Sequence, residues 1–293
     1  MLELHKVTKS FGDRRALDDV TITLAPGALT GFVGSNGAGK TTTMRIIMGL
    51  LEPDSGCVTW DGSPLTTEQR RTFGYMPEER GLYPKQPVRE QLIYFGELHG
   101  MTSSQAARRA DHLLETFDLA DRASTRIEQL SLGNQQRVQI AVALMHEPEA
   151  LILDEPFSGL DPEAVESMGT LVRACAESGV PVLFSSHQLD LVERLCDEIV
   201  VIAAGKVVAA GTAEKLRAGR DPVIRLDAPN IGDRLQGAEG IEVKKVTTGS
   251  VLFTPKQAGA GEALLRRTLM QSEVSHFGEV ILPLSEIYKE MVS

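Results

Sequence analysis

Along the first two thirds of the chain, stretches that alternate apolar and polar positions take turns with stretches of helical period. Residues 2–9 and 20–24 carry the alternation of half-buried strands. Leu29–Val33 is a short apolar run ending in a glycine-rich turn. It predicts a buried strand, with a helix following from Lys40 to about Leu51. Val88 to Ala120 reads as helical, with a polar break near Thr102-Ser103-Ser104. A helix is expected from near Asn134 to before Pro148, a buried strand over Ala150–Leu153, a helix over Glu163–Ser178 and a strand over Val182–Ser185. Ile199–Gly211 reads as two buried strands about a Gly205-Lys206 turn, and falls short of the about 20 apolar residues of a membrane-crossing helix. Strands and helices in alternation predict an α/β fold with a largely parallel central sheet.

Near Gly219-Arg220-Asp221-Pro222 the pattern changes. A strand (Val223–Leu226), a hairpin about Thr248-Gly249-Ser250, a helix around Glu262–Met270 and a last strand–helix pair ending LSEIYKEMVS predict a small α+β domain. The expected division is therefore a first domain over 1–218 and a small domain over 219–293.

Composition changes this picture little. The chain has 293 residues, 42% of them hydrophobic, and a formal net charge of −10. Through residue 219 there are 30 acidic and 21 basic side chains, so the acidity belongs to the first domain. Such a balance gives no general affinity for nucleic acid or an anionic membrane. The three cysteines, Cys57, Cys175 and Cys196, are widely spaced, which predicts buried small side chains in a reducing compartment. The N-terminal stretch lacks the continuous apolar core of a signal peptide.

The chemistry enters at Gly34-Ser35-Asn36-Gly37-Ala38-Gly39-Lys40-Thr41, which fits G-x-x-x-x-G-K-[ST] between a predicted strand and a predicted helix. Backbone N–H groups of such a loop, with the positive end of the helix dipole, cradle phosphate. Lys40 is placed to reach the β- and γ-phosphates of a nucleotide, and the Thr41 hydroxyl to hold Mg2+, with Thr42 next to it in the same helix turn. Farther on, the apolar strand Ala150–Leu153 runs into Asp154 and Glu155. Paired acids in an apolar run are costly to bury without a cation. Alternation sends them to opposite sides unless the strand ends there, so one can approach Mg2+ while the other reaches an attacking water.

A phosphate loop and an acidic strand suit many NTPases. The discriminating stretch is Leu130-Ser131-Leu132-Gly133-Asn134-Gln135-Gln136-Arg137, which resembles the LSGGQ signature of ABC (ATP-binding cassette) ATPases. The family's other motifs follow in order: an aromatic at Phe11, the phosphate loop, the Gln-loop region Gly74-Tyr75-Met76-Pro77-Glu78, the signature, the acidic strand, Ser158-Gly159-Leu160-Asp161, and His187. The resemblance covers roughly residues 1–218. It implies a P-loop NTPase cassette with a mixed-sheet core and a helical subdomain at about 80–145. It also implies ATP as ligand with Mg2+, Phe11 stacked on adenine, Glu155 as general base, and His187 as a switch touching the γ-phosphate. Ser131 and Gly133 would contact the γ-phosphate of the ATP held by an opposite cassette, and Asp161 would couple the two sites. The implied partners are a second cassette, identical or not, and a transmembrane permease, which places the chain on the cytoplasmic face of the membrane.

Three positions depart from the pattern. Leu132 replaces a glycine of the signature, Asn134 its glutamine, and Glu78 the glutamine of the Gln-loop. A carboxylate at 78 can ligate Mg2+ and adds negative charge beside the triphosphate. The run Glu78-Glu79-Arg80-Gly81-Leu82-Tyr83-Pro84 and the ending Pro283-Leu284-Ser285-Glu286-Ile287 resemble bacterial exporter-type cassettes, which implies export. A soluble ABC protein acting in translation, chromosome maintenance or cluster assembly is the rival. Translation-type members usually carry two cassettes in one chain, whereas one is seen here, and chromosome-type members place a long coiled coil between the phosphate loop and the signature, where about 90 residues without sustained heptads stand here. A small-molecule P-loop transferase is a second rival, which the signature and Asp161 disfavour.

Overall fold

A computed structural model of the chain describes residues 1–79, 81–218, 221–235 and 238–292. Arg80, the Gly219-Arg220 boundary and the last residue of the LSEIYKEMVS ending lie outside these described residues. The chain forms two compact units, Met1–Leu216 and Arg217–Glu290.

The first unit is built on two sheets. A six-stranded sheet runs in the spatial order Lys206–Gly211, Glu198–Ala203, Leu29–Val33, Val182–Ser186, Ala150–Leu153, Phe73–Met76. All its pairings are parallel except the edge hairpin of Glu198–Ala203 with Lys206–Gly211. The three central strands Leu29–Val33, Val182–Ser186 and Ala150–Leu153 are buried at every position, as expected of parallel strands covered on both faces. A second, antiparallel sheet orders Arg14–Leu24, Leu2–Phe11, Ser55–Trp60 and Ser63–Pro64. Leu2, Leu4, Leu17, Leu24 and Met44 pack with Phe32 and Ile202 into one core.

Helices Val88–Leu98, Ser103–Thr116 and Leu132–Ala143 make up a helical region of this unit. The break between the first two has a local cause. The Thr102 hydroxyl accepts a hydrogen bond from the Gln105 backbone N–H while the Thr102 N–H donates to Gln105 Oε1, a capping box that starts a new helix.

In the second unit the antiparallel sheet runs Ile241–Val246, Ser250–Pro255, Val223–Asp227, His276–Val280. With helix Ala260–Leu269 it encloses a small core of Leu226, Ile231, Val251, Phe253 and Leu264.

Two expectations are corrected. Lys206–Gly211 is an edge strand with alternating exposed and half-buried positions, so it is not buried throughout; an edge has a partner on one side only. Cys57 is exposed, and Cys175 and Cys196 are intermediate, so the cysteines are not uniformly buried. Cys57 lies at a solvent-facing position near the start of strand Ser55–Trp60.

Candidate functional site

The phosphate loop leaves the sheet at Val33 and enters helix Lys40–Ile47. Gly39 is the residue before the helix and has φ +116°, a conformation L side chains rarely adopt; a Cβ there would also come within 2.6 Å of Leu17 Cδ2. The tight turn therefore needs glycine. No side chain caps this helix, so its N–H groups are left to whatever the loop encloses.

Asn36, Gly37, Gly39, Lys40, Thr41 and Thr42 line one wall of a cavity of about 560 Å3. Phe11, Arg14 and Ala16 form another wall, and Glu78 and Glu155 complete it. Phe11 ends strand Leu2–Phe11 and is 52% exposed, with Lys9 Nζ 5.9 Å from its ring centre. An aromatic left this open has a free face for a flat ligand.

At the loop end of the cavity three side chains touch in series. Lys40 is buried, donates to the Gly34 carbonyl at 2.7 Å, and lies 3.4 Å from Glu155 Oε1. Glu155 Oε2 lies 3.1 Å from His187 Nδ1, which donates to it in the tautomer that fits a carboxylate. His187 follows strand Val182–Ser186 and is about half exposed, so the series runs from a buried cation to an open imidazole.

The backbone of Glu155 is unusual. Its φ is +51°, the left-handed region that a non-glycine residue occupies at a cost. The strand has ended at Leu153, so alternation no longer governs where the two acids point. The surroundings hold the bend. The Glu155 N–H donates to Ser185 Oγ at 2.7 Å, and Ser185 Oγ–H donates to Asp154 Oδ1 at 2.6 Å. One hydroxyl on the neighbouring strand thus holds the Asp154 carboxylate and the Glu155 backbone. Asp154 is fully buried, and its Oδ2 has no hydrogen-bond partner among the described residues. A carboxylate oxygen in that state needs a donor or a cation. The crowding of negative charge is felt at Tyr75. Burial raises its phenol above the usual tyrosine range, and the charges of Asp154 and Glu78 push the same way against Arg45.

The signature segment forms a separate feature. Ser131 is the N-cap of helix Leu132–Ala143 and accepts from the Asn134 amide at 3.4 Å. The helix begins two residues earlier than its apolar pattern suggests, because the cap hydroxyl takes the third-position amide. Ser131 is exposed and Gly133 half-buried, and neither lines the cavity. Gln136 Nε2 donates to the Ser158 carbonyl at 2.9 Å, tying this helix to the Ser158-Gly159-Leu160-Asp161 turn. Asp161 caps the next helix, Pro162–Glu177, by accepting from the Ala164 amide at 2.8 Å.

The structure thus gathers most of the phosphate-loop residues with Phe11, Glu78 and Glu155 around one cavity, and joins His187 and Lys40 through Glu155. Gly34, Ser35 and Ala38 shape the loop without lining the cavity. Sequence reading missed Arg14 and Ala16. Their signal was the two-residue turn Gly12-Asp13, which pairs Phe11 with Arg14 across a hairpin. Ser185 was missed too, since nothing along the chain marks a strand-end serine as the neighbour of two acids.

Comparison with known proteins places the chain in a family. Residues 17–158 match the family model for the ABC transporter. The chain is 44% identical over 217 residues to the uncharacterized ABC transporter ATP-binding protein YhaQ of Bacillus subtilis, covering 74% of this chain and 73% of that one. It is 37% identical over 238 residues to the linearmycin resistance ATP-binding protein LnrL of the same organism, covering 80% and 76%. Among solved structures it is similar to the dimeric bacterial ABC transporter cassette MJ0796, with a TM-score of 0.66 and 26% identity over 72% of this chain and 98% of that one. The strand–loop–helix cradle, the acidic strand end and these relatives lead to one conclusion: the chain belongs to the ABC transporter family, as one of its ATP-binding and ATP-hydrolysing subunits.

Proposed function

We propose that this chain drives export through a separate membrane permease, working as one of a pair of cassettes that close on two ATP molecules. The observation that carries the reading is the series Lys40–Glu155–His187 at the mouth of the phosphate loop. Lys40 binds the β- and γ-phosphates, and on doing so exchanges the Gly34 carbonyl for phosphate oxygen. Glu155 orients the attacking water and accepts its proton, and His187 contacts the γ-phosphate. Phe11 stacks on adenine. Catalysis here is positioning and charge stabilisation.

Mg2+ fits the donors present. A hard cation takes oxygen ligands, and Mg2+ needs only one or two carboxylates beside substrate phosphates and water. The Thr41 hydroxyl, Asp154 through its unpartnered Oδ2, and Glu78 on the cavity wall would hold it. When bound, it neutralises charge on the phosphate chain.

Ser131 and Gly133 stand at an exposed helix start outside the chain's own cavity, where the phosphate of a partner cassette's ATP can be met. MJ0796 is dimeric. Among the described residues no helix is long and apolar enough to cross a membrane. A permease therefore holds the subunit to the cytoplasmic face of the membrane, through the helical region after Glu78. The resistance role in the name of LnrL supports export over import. The small unit from Arg217 to Glu290 serves regulation or stabilises the pair.

The test is Glu155→Gln. It keeps the size of the side chain and removes its basicity, so ATP binding persists while turnover falls by a factor on the order of 100 or more. Single-turnover hydrolysis and size-exclusion chromatography with ATP measure both consequences, since the paired state should also live longer. Wild-type turnover in this variant would overturn the reading.

A further inference from the structure

The cation balance of the nucleotide cavity singles out one residue that the family motifs do not include. Arg14 lies on the cavity wall beside Phe11, its cross-strand partner in the hairpin Leu2–Phe11 with Arg14–Leu24. The cations nearest it at this end of the hairpin are paired. Lys9 binds Asp54 at 2.8 Å, Arg15 binds Asp18 at 2.8 Å, and Lys206 binds the same Asp18 at 3.1 Å. Arg14 has no carboxylate within ion-pair distance among the described residues. Its guanidinium instead donates one hydrogen bond, Nη2 to the Gly37 carbonyl at 3.2 Å, at the apex of the phosphate loop.

Gly37 makes this approach possible. A Cβ on Gly37 would lie 3.1 Å from Arg14 Nη2, and its φ of +77° independently favours glycine. A guanidinium has five donors, and one carbonyl uses one of them. The remaining donors lie on the wall of a cavity whose other cation, Lys40, already faces Glu155 at 3.4 Å. Against the carboxylates Glu78 and Glu155, Arg14 is the cation still able to attract a polyanion. Arg14 thus joins the exposed ring of Phe11, its cross-strand partner, to the phosphate loop at Gly37.

We propose that Arg14 is a nucleotide-binding residue, which clasps the α,β-phosphate portion common to ATP and ADP and bridges it to the loop through the Gly37 carbonyl. This rests on the assignment of the cavity to ATP. The clasp closes the cavity on the side that the phosphate loop itself leaves open. It acts by binding and takes no part in the chemistry at the γ-phosphate. Lysine offers the charge but not the planar fork, so it replaces arginine only in part.

The experiment is a calorimetric titration of the full chain with MgATP and with MgADP, for wild type, Arg14→Ala, Arg14→Lys, Arg15→Ala and Lys40→Ala. Arg14→Ala should raise Kd for both nucleotides by about tenfold, as expected on losing one partly exposed charge-assisted hydrogen bond. Arg14→Lys should fall between, and the salt dependence of binding should flatten in Arg14→Ala. Arg15→Ala, which loses only its pairing with Asp18, should bind as wild type. Unchanged affinity in Arg14→Ala while Lys40→Ala loses binding would overturn the clasp and leave the cradle intact. A loss confined to ATP would also overturn it, by moving the contact to the γ-phosphate. Unchanged affinity in both variants would overturn the ATP assignment itself. A thermal scan of each variant without nucleotide, with an unshifted midpoint, separates lost contact from misfolding.

Discussion

The two units of this chain bury polar groups in different ways. In the first, ten polar side chains are buried among the described residues, charged ones included, and Lys40, Asp154 and Ser185 gather around Glu155 at one site. In the second, the buried polar side chains among the described residues are Thr254 and Thr268, and the Thr268 hydroxyl is satisfied by the Leu264 carbonyl of its own helix at 2.8 Å. The charges of the second unit stay outside. Lys256 reaches Asp221 at 2.7 Å and Glu242 at 3.1 Å, all three well exposed. Burying polar atoms costs free energy unless each finds a partner. The first unit bears that cost where phosphate and a metal ion can offset it. The second unit is held by an apolar core and decorated with ion pairs worth little on their own.

This contrast can be broken most forcefully at Phe253. It is fully buried at the centre of the small core. Phe253→Ala should destabilise the second unit by about 3–5 kcal/mol through lost burial and a residual cavity. Denaturant unfolding followed by circular dichroism should show that loss, while nucleotide titration of the first unit stays as in wild type. Loss of nucleotide binding in this variant would mean that the two kinds of burial are not separate, and that the small core supports the site.

How much of this could be read from the chain alone depends on whether the cause is local. Leu29–Val33 and the turn after it are coded by contiguous residues; the strand falls where expected and the helix starts where expected at Lys40, though it ends at Ile47 and not at about Leu51. The capping box at Thr102 was visible only as a polar break, because its reciprocal bonds need the fold of one turn. Strand Ser55–Trp60 escaped notice since it begins Ser-Gly-Cys with three exposed positions, which mutes the alternation. Cys57 was misjudged for the same reason, a residue-type preference overridden by an outward-facing register. Within the site, the motif residues are legible as a set, but their contacts are not. The left-handed turn at Glu155 exists because Ser185, some thirty residues away, receives its N–H. Arg14 is one of many surface arginines until the hairpin sets it against Gly37.

A smaller effect sharpens the comparison through pH. His146 is stacked on His99, with ring centres 3.8 Å apart and planes 2° from parallel. Its Nε2 lies 3.3 Å from the Phe73 carbonyl, to which it donates, and its Nδ1 is buried with no partner among the described residues. A proton on Nδ1 would find no acceptor. Burial first, and the His99 charge second, lower its pKa to about 4 from the usual 6.5. The folded state therefore favours the neutral ring. In the unfolded chain the ring takes up its proton near 6.5, so the stability it contributes is full above that pH, is lost as pH falls toward 4, and changes no further below. Allowing for partial solvation, the loss is about 2 kcal/mol. The second unit should be indifferent over that window. Its shifted carboxylates, Glu242 beside Lys244 and Lys256 and Asp227 beside Arg225, are held below the ordinary carboxylate range and titrate at lower pH. Thermal unfolding of wild type and His146→Phe at about pH 7.5 and 5 measures this. An acid-induced loss that survives in His146→Phe would assign the effect to another group.

The smallest effect separates two roles of one residue. Asp161 caps helix Pro162–Glu177, and the family resemblance implies that it would also couple the two ATP sites of a pair of cassettes. The helix Ala260–Leu269 of the second unit starts at Gly259, with φ +82° and no side-chain cap. Capping is therefore not needed for every helix here, and Asp161 can be tested for both roles. Asp161→Ala removes the acceptor for the Ala164 amide and should cost about 1 kcal/mol. Asp161→Asn keeps a capping oxygen and drops the charge, so it should retain most of that stability. If the residue only caps, the asparagine variant restores wild-type ATP cooperativity along with stability. If its charge couples the two sites, stability returns in Asp161→Asn while the Hill coefficient for ATP hydrolysis stays reduced. That split would place Asp161 with the buried groups of the first unit, as a polar residue kept for what it does between cassettes as well as for the helix it starts.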